Sequence, residues 1–116
     1  MLNNTKFIEI DAAKIFDWES FHDVFYESFG FPGFYGRNMN AWIDCMSCLD
    51  DPDSGMTKFT VPKDGIVVLK LYNSEIFREK CPEQFAALYE CVAFVNLRYI
   101  ETNSSPILSL MMIGHF

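Results

Sequence analysis

Along KFIEI, residues 6–10, apolar and polar side chains alternate, the period-two signature of a strand with one face on a core. The period then changes. Trp18, Phe21, Val24, Phe25 and Phe29 fall at helical spacing, with Asp17 placed to cap the first turn and Gly30 and Pro32 placed to end the helix. A second helix is predicted from Asn38, its cap, to about Leu49, with Met39, Trp42, Ile43, Met46 and Leu49 on one stripe. At 100° per residue, Asn40, Asp44, Ser47 and Asp51 gather within about 60° of one another on the opposite, outward face.

The stretch DDPDSGMTKFTVPKDG, 50–65, is rich in turn formers and reads as a long loop, within which TKFTV at 57–61 has the composition of a short edge strand. GIVVLKLYNS follows, a nearly continuous apolar run of the kind a strand shows when both its faces are covered. A short helix is predicted at about 75–80. Pro82 then suits the first position of a long helix whose stripe is Phe85, Leu88, Cys91, Val92, Val95 and Tyr99. PILSLMMIG gives a last, buried strand.

Strands separated by helices pair in parallel through right-handed crossovers. The predicted class is therefore α/β, a small three-stranded, mainly parallel sheet packed with helices, with an enlarged loop at about 50–65 and one domain over 1–116.

Composition adds limits. Half of the 116 residues are hydrophobic and 12 are Phe, which excludes a disordered chain and gives a core without staples. The 16 acidic residues against 9 basic ones leave a formal charge of −7, the wrong sign for gripping a nucleic-acid backbone and the right one for a basic partner. The first residues lack a charged start and apolar run of a secretion signal, and the 106–113 stretch is too short to span a bilayer, so no membrane is expected and the compartment is read as cytoplasmic.

Several chemistries fail on spacing. The glycines of GFPGFYG recur every third residue and follow a helix, whereas a dinucleotide loop needs G-x-G-x-x-G straight after a strand. The plainer reading is a tight helix–helix connection with glycines at positive φ. Cys45 and Cys48 form C-x-x-C inside a helix, not at its N-terminus where the dipole would activate a thiol, and Cys81 and Cys91 do not supply a second metal-binding pair. Counted from Asp51, a calcium loop would need Gly and Glu where Met56 and Pro62 stand. His22 and His115 lie outside any hydrolytic pattern, and each reads as a surface residue. No cofactor, metal or catalytic residue is expected.

What remains is a surface. Asp44 points outward in mid-helix; Asp50 and Asp51 sit at the helix's C-terminal end, where the macrodipole disfavours an acid. Phe34 and Tyr35 lie on the preceding loop, and aromatic residues flanking charge are typical of protein-binding patches; one of the two is expected to turn into the core.

The run Pro32, Phe34, Tyr35, Gly36, Asn38, Ala41, Asp44, Cys45 resembles the signature of the barstar family, intracellular inhibitors of secreted bacterial ribonucleases, and the element order resembles that family over most of the chain. The resemblance implies a bacterial immunity protein of toxin–antitoxin type, a monomer that pushes loop and helix into a basic ribonuclease so that a carboxylate occupies the place of the substrate phosphate. It makes Asp44 that carboxylate and Phe34 a contact aromatic lacking the family's hydroxyl. Gly36 and Asn38 shape the loop, and Tyr35, Asn40, Ile43, Ser47 and Asp51 complete the expected partner-binding set. Asn40 stands where the family has a second acid and Ile43 where it has an aromatic. The resemblance also implies an acidic contact from the last long helix, whose position falls near Asn96 or Glu90. Asp50, Asp51 and Asp53 on the enlarged loop are possible substitutes for the missing charge. The same surface also suits a barstar-like module binding a non-nuclease basic protein; the remaining alternative is a thiol oxidoreductase using Cys45 and Cys48.

Overall fold

The computed structural model describes residues 4–115. Three parallel strands, β1 (Thr5–Asp11), β2 (Ile66–Tyr72) and β3 (Leu108–Ile113), form a sheet in the order β1-β2-β3. The helices are α1 (Trp18–Phe29), α2 (Met39–Met46), α3 (Ser74–Lys80) and α4 (Pro82–Glu101), and a 3-10 turn covers Ala12–Lys14. The α/β class, the strand count and the loop from 51 to 65 are as the sequence predicts.

The register pairs Ile8 with Leu69 and Ile10 with Leu71, and Leu69 in turn with Leu110. One face of the sheet thus carries Ile10, Val67, Leu69 and Leu71 into the core, where they join Phe21, Phe25, Phe29, Trp42 and Met46. The other face is only partly closed, contrary to the expectation for β2. Phe7 and Met111 are exposed there, and Lys70 Nζ lies 5.6 Å above the Phe7 ring and 3.9 Å from Glu9 Oε2. Val68 is nevertheless buried, because its paired neighbours Phe7 and Ser109 flank it in the ladder. β3 is an outer strand with one ladder partner, so only Leu108 is buried and the predicted burial of the last strand is corrected.

Local chemistry fixes the helix ends. Asp17 Oδ1 accepts from Ser20 N at 2.8 Å and Ser20 Oγ accepts from Asp17 N at 3.1 Å, a reciprocal capping box that also lowers the Asp17 pKa. Gly30 ends α1 at φ +63°; a Cβ there would lie 2.6 Å from Lys58 Cβ. α2 stops at Met46 rather than near Leu49: Ser47 N makes the last helical bond, to Ile43 O at 2.9 Å, an acceptor that Ser47 Oγ shares at 2.7 Å. Hydrogen-bonded turns carry the chain on, with Cys48 N donating to Cys45 O and Asp51 N to Cys48 O.

Residues 57–61 are not a strand. Lys58 N donates to Phe29 O at 2.8 Å and Val61 N to Leu49 O at 2.8 Å, so this segment closes the open carbonyls after α1 and α2 instead of joining the sheet. The Phe59 ring packs on that of Phe29, tilted by 40° with centroids 5.3 Å apart. At the far end, Asn96 of α4 clamps the start of β3: its Oδ1 accepts from Ile107 N at 3.0 Å and Leu108 N at 2.9 Å, and its Nδ2 donates to Leu108 O at 2.9 Å.

Candidate partner-binding surface

The loop between α1 and α2 is held from three directions. Tyr35 N donates to Pro32 O at 2.9 Å, closing a turn that sends neighbouring aromatic side chains opposite ways. Phe34 is 78% exposed and Tyr35 only 7%, so one of the pair faces inward as the sequence predicts. The Tyr35 hydroxyl meets His22 Nδ1 at 2.6 Å. Burial, then the nearby Arg37 charge, lowers the His22 pKa, and burial raises that of Tyr35 far above the usual phenol range. The phenol and the imidazole therefore meet as two neutral groups. His22 is buried, not a surface residue; it stacks on Trp18 one turn earlier in α1 and meets the Phe21 ring edge-on.

Arg37 supplies the second tie. Its backbone takes a left-handed φ of 54°, and its guanidinium donates to Asp23 Oδ1 at 2.8 Å and Glu19 O at 3.0 Å on α1. The left-handed positions of the connection are thus Gly30 and Arg37, not Gly33 or Gly36. Asn38 makes the third tie, accepting from Ala41 N at 2.8 Å as the cap of α2 while its Nδ2 donates to Gly36 O at 3.3 Å. A side chain at Gly36 would press to 3.3 Å from that same Nδ2.

On α2, Asp44 faces solvent with 66% of its side chain exposed. Pro32, Phe34, Tyr35, Gly36, Ala41 and Asp44 line one depression of about 170 Å³, so the predicted loop and helix residues converge on a shared concavity. Asn40 is exposed one turn before Asp44. Ser47 is half-buried, donating to Ile43 O and accepting from Arg98 Nη1 at 3.2 Å. Asp51 is exposed beyond the helix, where its Oδ1 accepts from Asp53 N at 3.1 Å. Ile43 is not brought to this surface: it is 9% exposed and belongs to the core, following the apolar stripe.

Other predicted acids have internal roles or other places. Asp50 Oδ1 lies 2.9 Å from the Tyr99 hydroxyl, which also lies 2.8 Å from Ser47 O, so the unfavourable acid at the helix end has a partner inside the chain. Asn96 turns to β3 and is unavailable to Asp44. Glu90 is exposed eight residues before Arg98, about 12 Å along the helix axis. The α4 side chain that reaches Asp44 is instead Arg98, with Nη1 3.6 Å from Oδ1. Sequence reasoning missed it because no local spacing connects two separate helices.

The thiols have the opposite tuning from a redox centre. Cys45 is buried and burial pushes its pKa up to about 11; burial raises Cys48 as well. Among the described residues no cluster of three His, Cys, Asp or Glu side chains is placed to hold a metal, and no helix is long and apolar enough to cross a membrane.

A family model described as Barstar (barnase inhibitor) matches residues 5–110. The chain belongs to the barstar family. A comparison with curated proteins finds no match. Barstar membership makes this a protein of the ribonuclease-inhibitor kind, from a family of inhibitors rather than catalysts. Asp44 thus has the neutral Asn40 one turn before it and the cationic Arg98 beside it, while Ile43 lies in the core.

Proposed function

We propose that the chain inhibits a basic ribonuclease by inserting the 31–37 loop and α2 into the enzyme's cleft, with Asp44 taking the place of the RNA phosphate. The observation that carries this reading is the exposed Asp44 carboxylate beside a concavity shared with the exposed Phe34 ring. A cleft that cleaves RNA presents preorganised positive charge to a developing anion. A carboxylate on a braced helix enters such a cleft with little ordering cost, and complementary charge speeds encounter. Phe34 supplies an apolar anchor that excludes water beside the charge.

In this reading the protein acts in the cytoplasm as a monomeric, single-domain antitoxin, binding one ribonuclease and needing no cofactor. Tyr35, Gly36 and Asn38 position the loop rather than carry the contact energy; Asn40, Ser47 and Asp51 border it. The test is titration of purified ribonucleases encoded beside this gene with the chain, reading RNA cleavage. Stoichiometric inhibition that Asp44→Ala relieves supports the proposal. Inhibition of none, or equal inhibition by Asp44→Ala, overturns it.

A further inference from the structure

Asp44 has a cationic neighbour of its own. Arg98 Nη1 lies 3.6 Å from its Oδ1, and the residue one turn earlier, Asn40, is neutral. Arg98 is also held in place: it donates to Ser47 Oγ at 3.2 Å, and its guanidinium carbon lies 5.1 Å from the centroid of the Phe94 ring. Yet 46% of its side chain remains exposed. It borders a second depression, of about 260 Å³, lined also by Ser47, Asp50, Tyr99, Thr102 and Ser104. Asp50 in that lining is engaged by Tyr99, so Arg98 is the cationic group this hollow offers.

We infer that the partner's cleft carries a carboxylate beside its cation, the cation meeting Asp44 and the carboxylate meeting Arg98. The inference rests on the inhibitor reading above and names the kind of cleft it fits. An arginine keeps its charge at any working pH and its planar fork matches a carboxylate in a bidentate contact. A cleft lined by cations alone would bring like charge against Arg98 as water leaves the interface, a mismatch that costs affinity and excludes partners. Docking on a mixed cleft exchanges one loose internal ion pair for two intermolecular ones.

The test uses two panels of purified ribonucleases of known structure, one whose clefts hold basic groups and histidine only and one whose clefts also hold a carboxylate. Each is titrated with the wild-type chain, Arg98→Ala, Arg98→Glu and Asp44→Ala, with thermal unfolding as the folding control. The wild type should bind the carboxylate-bearing panel at least about tenfold more tightly. Arg98→Glu should reverse that order, Arg98→Ala should fall between, and replacing the enzyme's carboxylate by Lys should restore binding to Arg98→Glu. Equal effects of Arg98→Glu on both panels, or wild-type preference for purely basic clefts, overturn this inference while leaving the Asp44 reading intact. Inhibition of neither panel, or inhibition indifferent to Asp44→Ala, overturns the inhibitor reading and this inference with it.

Discussion

The Tyr35 hydroxyl lies 2.6 Å from His22 Nδ1, joining the centre of the loop between α1 and α2 to the buried side of α1. Because burial lowers the His22 pKa below 6.5, the unfolded chain binds the proton more readily than the folded one. This contribution to stability is complete above pH 6.5 and is lost as pH falls through the lowered folded value. Thermal unfolding followed from pH 7 to about pH 5 should show Tm falling, and His22→Gln should flatten that slope. A slope unchanged in His22→Gln would place the pH dependence elsewhere.

Asn96 satisfies the backbone at the entry to β3 with three hydrogen bonds. Asn96→Ala leaves the Ile107 and Leu108 amides without that acceptor, and urea unfolding should report a loss of about 2–3 kcal/mol. A loss below about 0.5 kcal/mol would show that solvent replaces the clamp freely.

Phe34 separates binding from folding. With 78% of it exposed, Phe34→Ala should leave stability within about 0.5 kcal/mol of wild type. The same change should weaken ribonuclease inhibition about tenfold or more, as truncation of an interface aromatic does. Calorimetric unfolding and inhibition titration on one preparation check both halves.

Cys45 tests the thiol chemistry. Burial lifts its pKa from 9.0 to about 11, which reduces its thiolate fraction near neutrality about a hundredfold. In the folded Cys48→Ser variant, a disulfide reagent should modify Cys45 far more slowly than free cysteine, with the rate recovering on unfolding. Rapid modification in the folded state would reopen an oxidoreductase role.

The parts that were legible in the sequence are those governed by neighbours along the chain. Asp17 and Asn38 announce their helices because a cap and an apolar stripe lie within a few residues of each other, and Asp44 opposite the stripe follows from the same periodicity. The 57–61 segment misleads because its alternation is strand-like while the acceptors it actually finds, Phe29 O and Leu49 O, belong to distant elements. His22 is polar, so its burial depends on the inward turn of Tyr35, which no spacing reveals. Arg98 shows the same limit at the site itself: its meeting with Asp44 is made by the crossing of α2 and α4.

The exposed carboxylate of Asp44 is tested most directly by the inhibition constant of Asp44→Ala, measured against a ribonuclease that the wild-type chain inhibits. Asp44 pairs with Arg98 only loosely and at the surface, so the variant should unfold within about 1 kcal/mol of wild type. Its inhibition should weaken by at least about thirtyfold, the cost of removing one partner from a charge pair buried at an interface. An inhibition constant equal to that of the wild type would contradict the account.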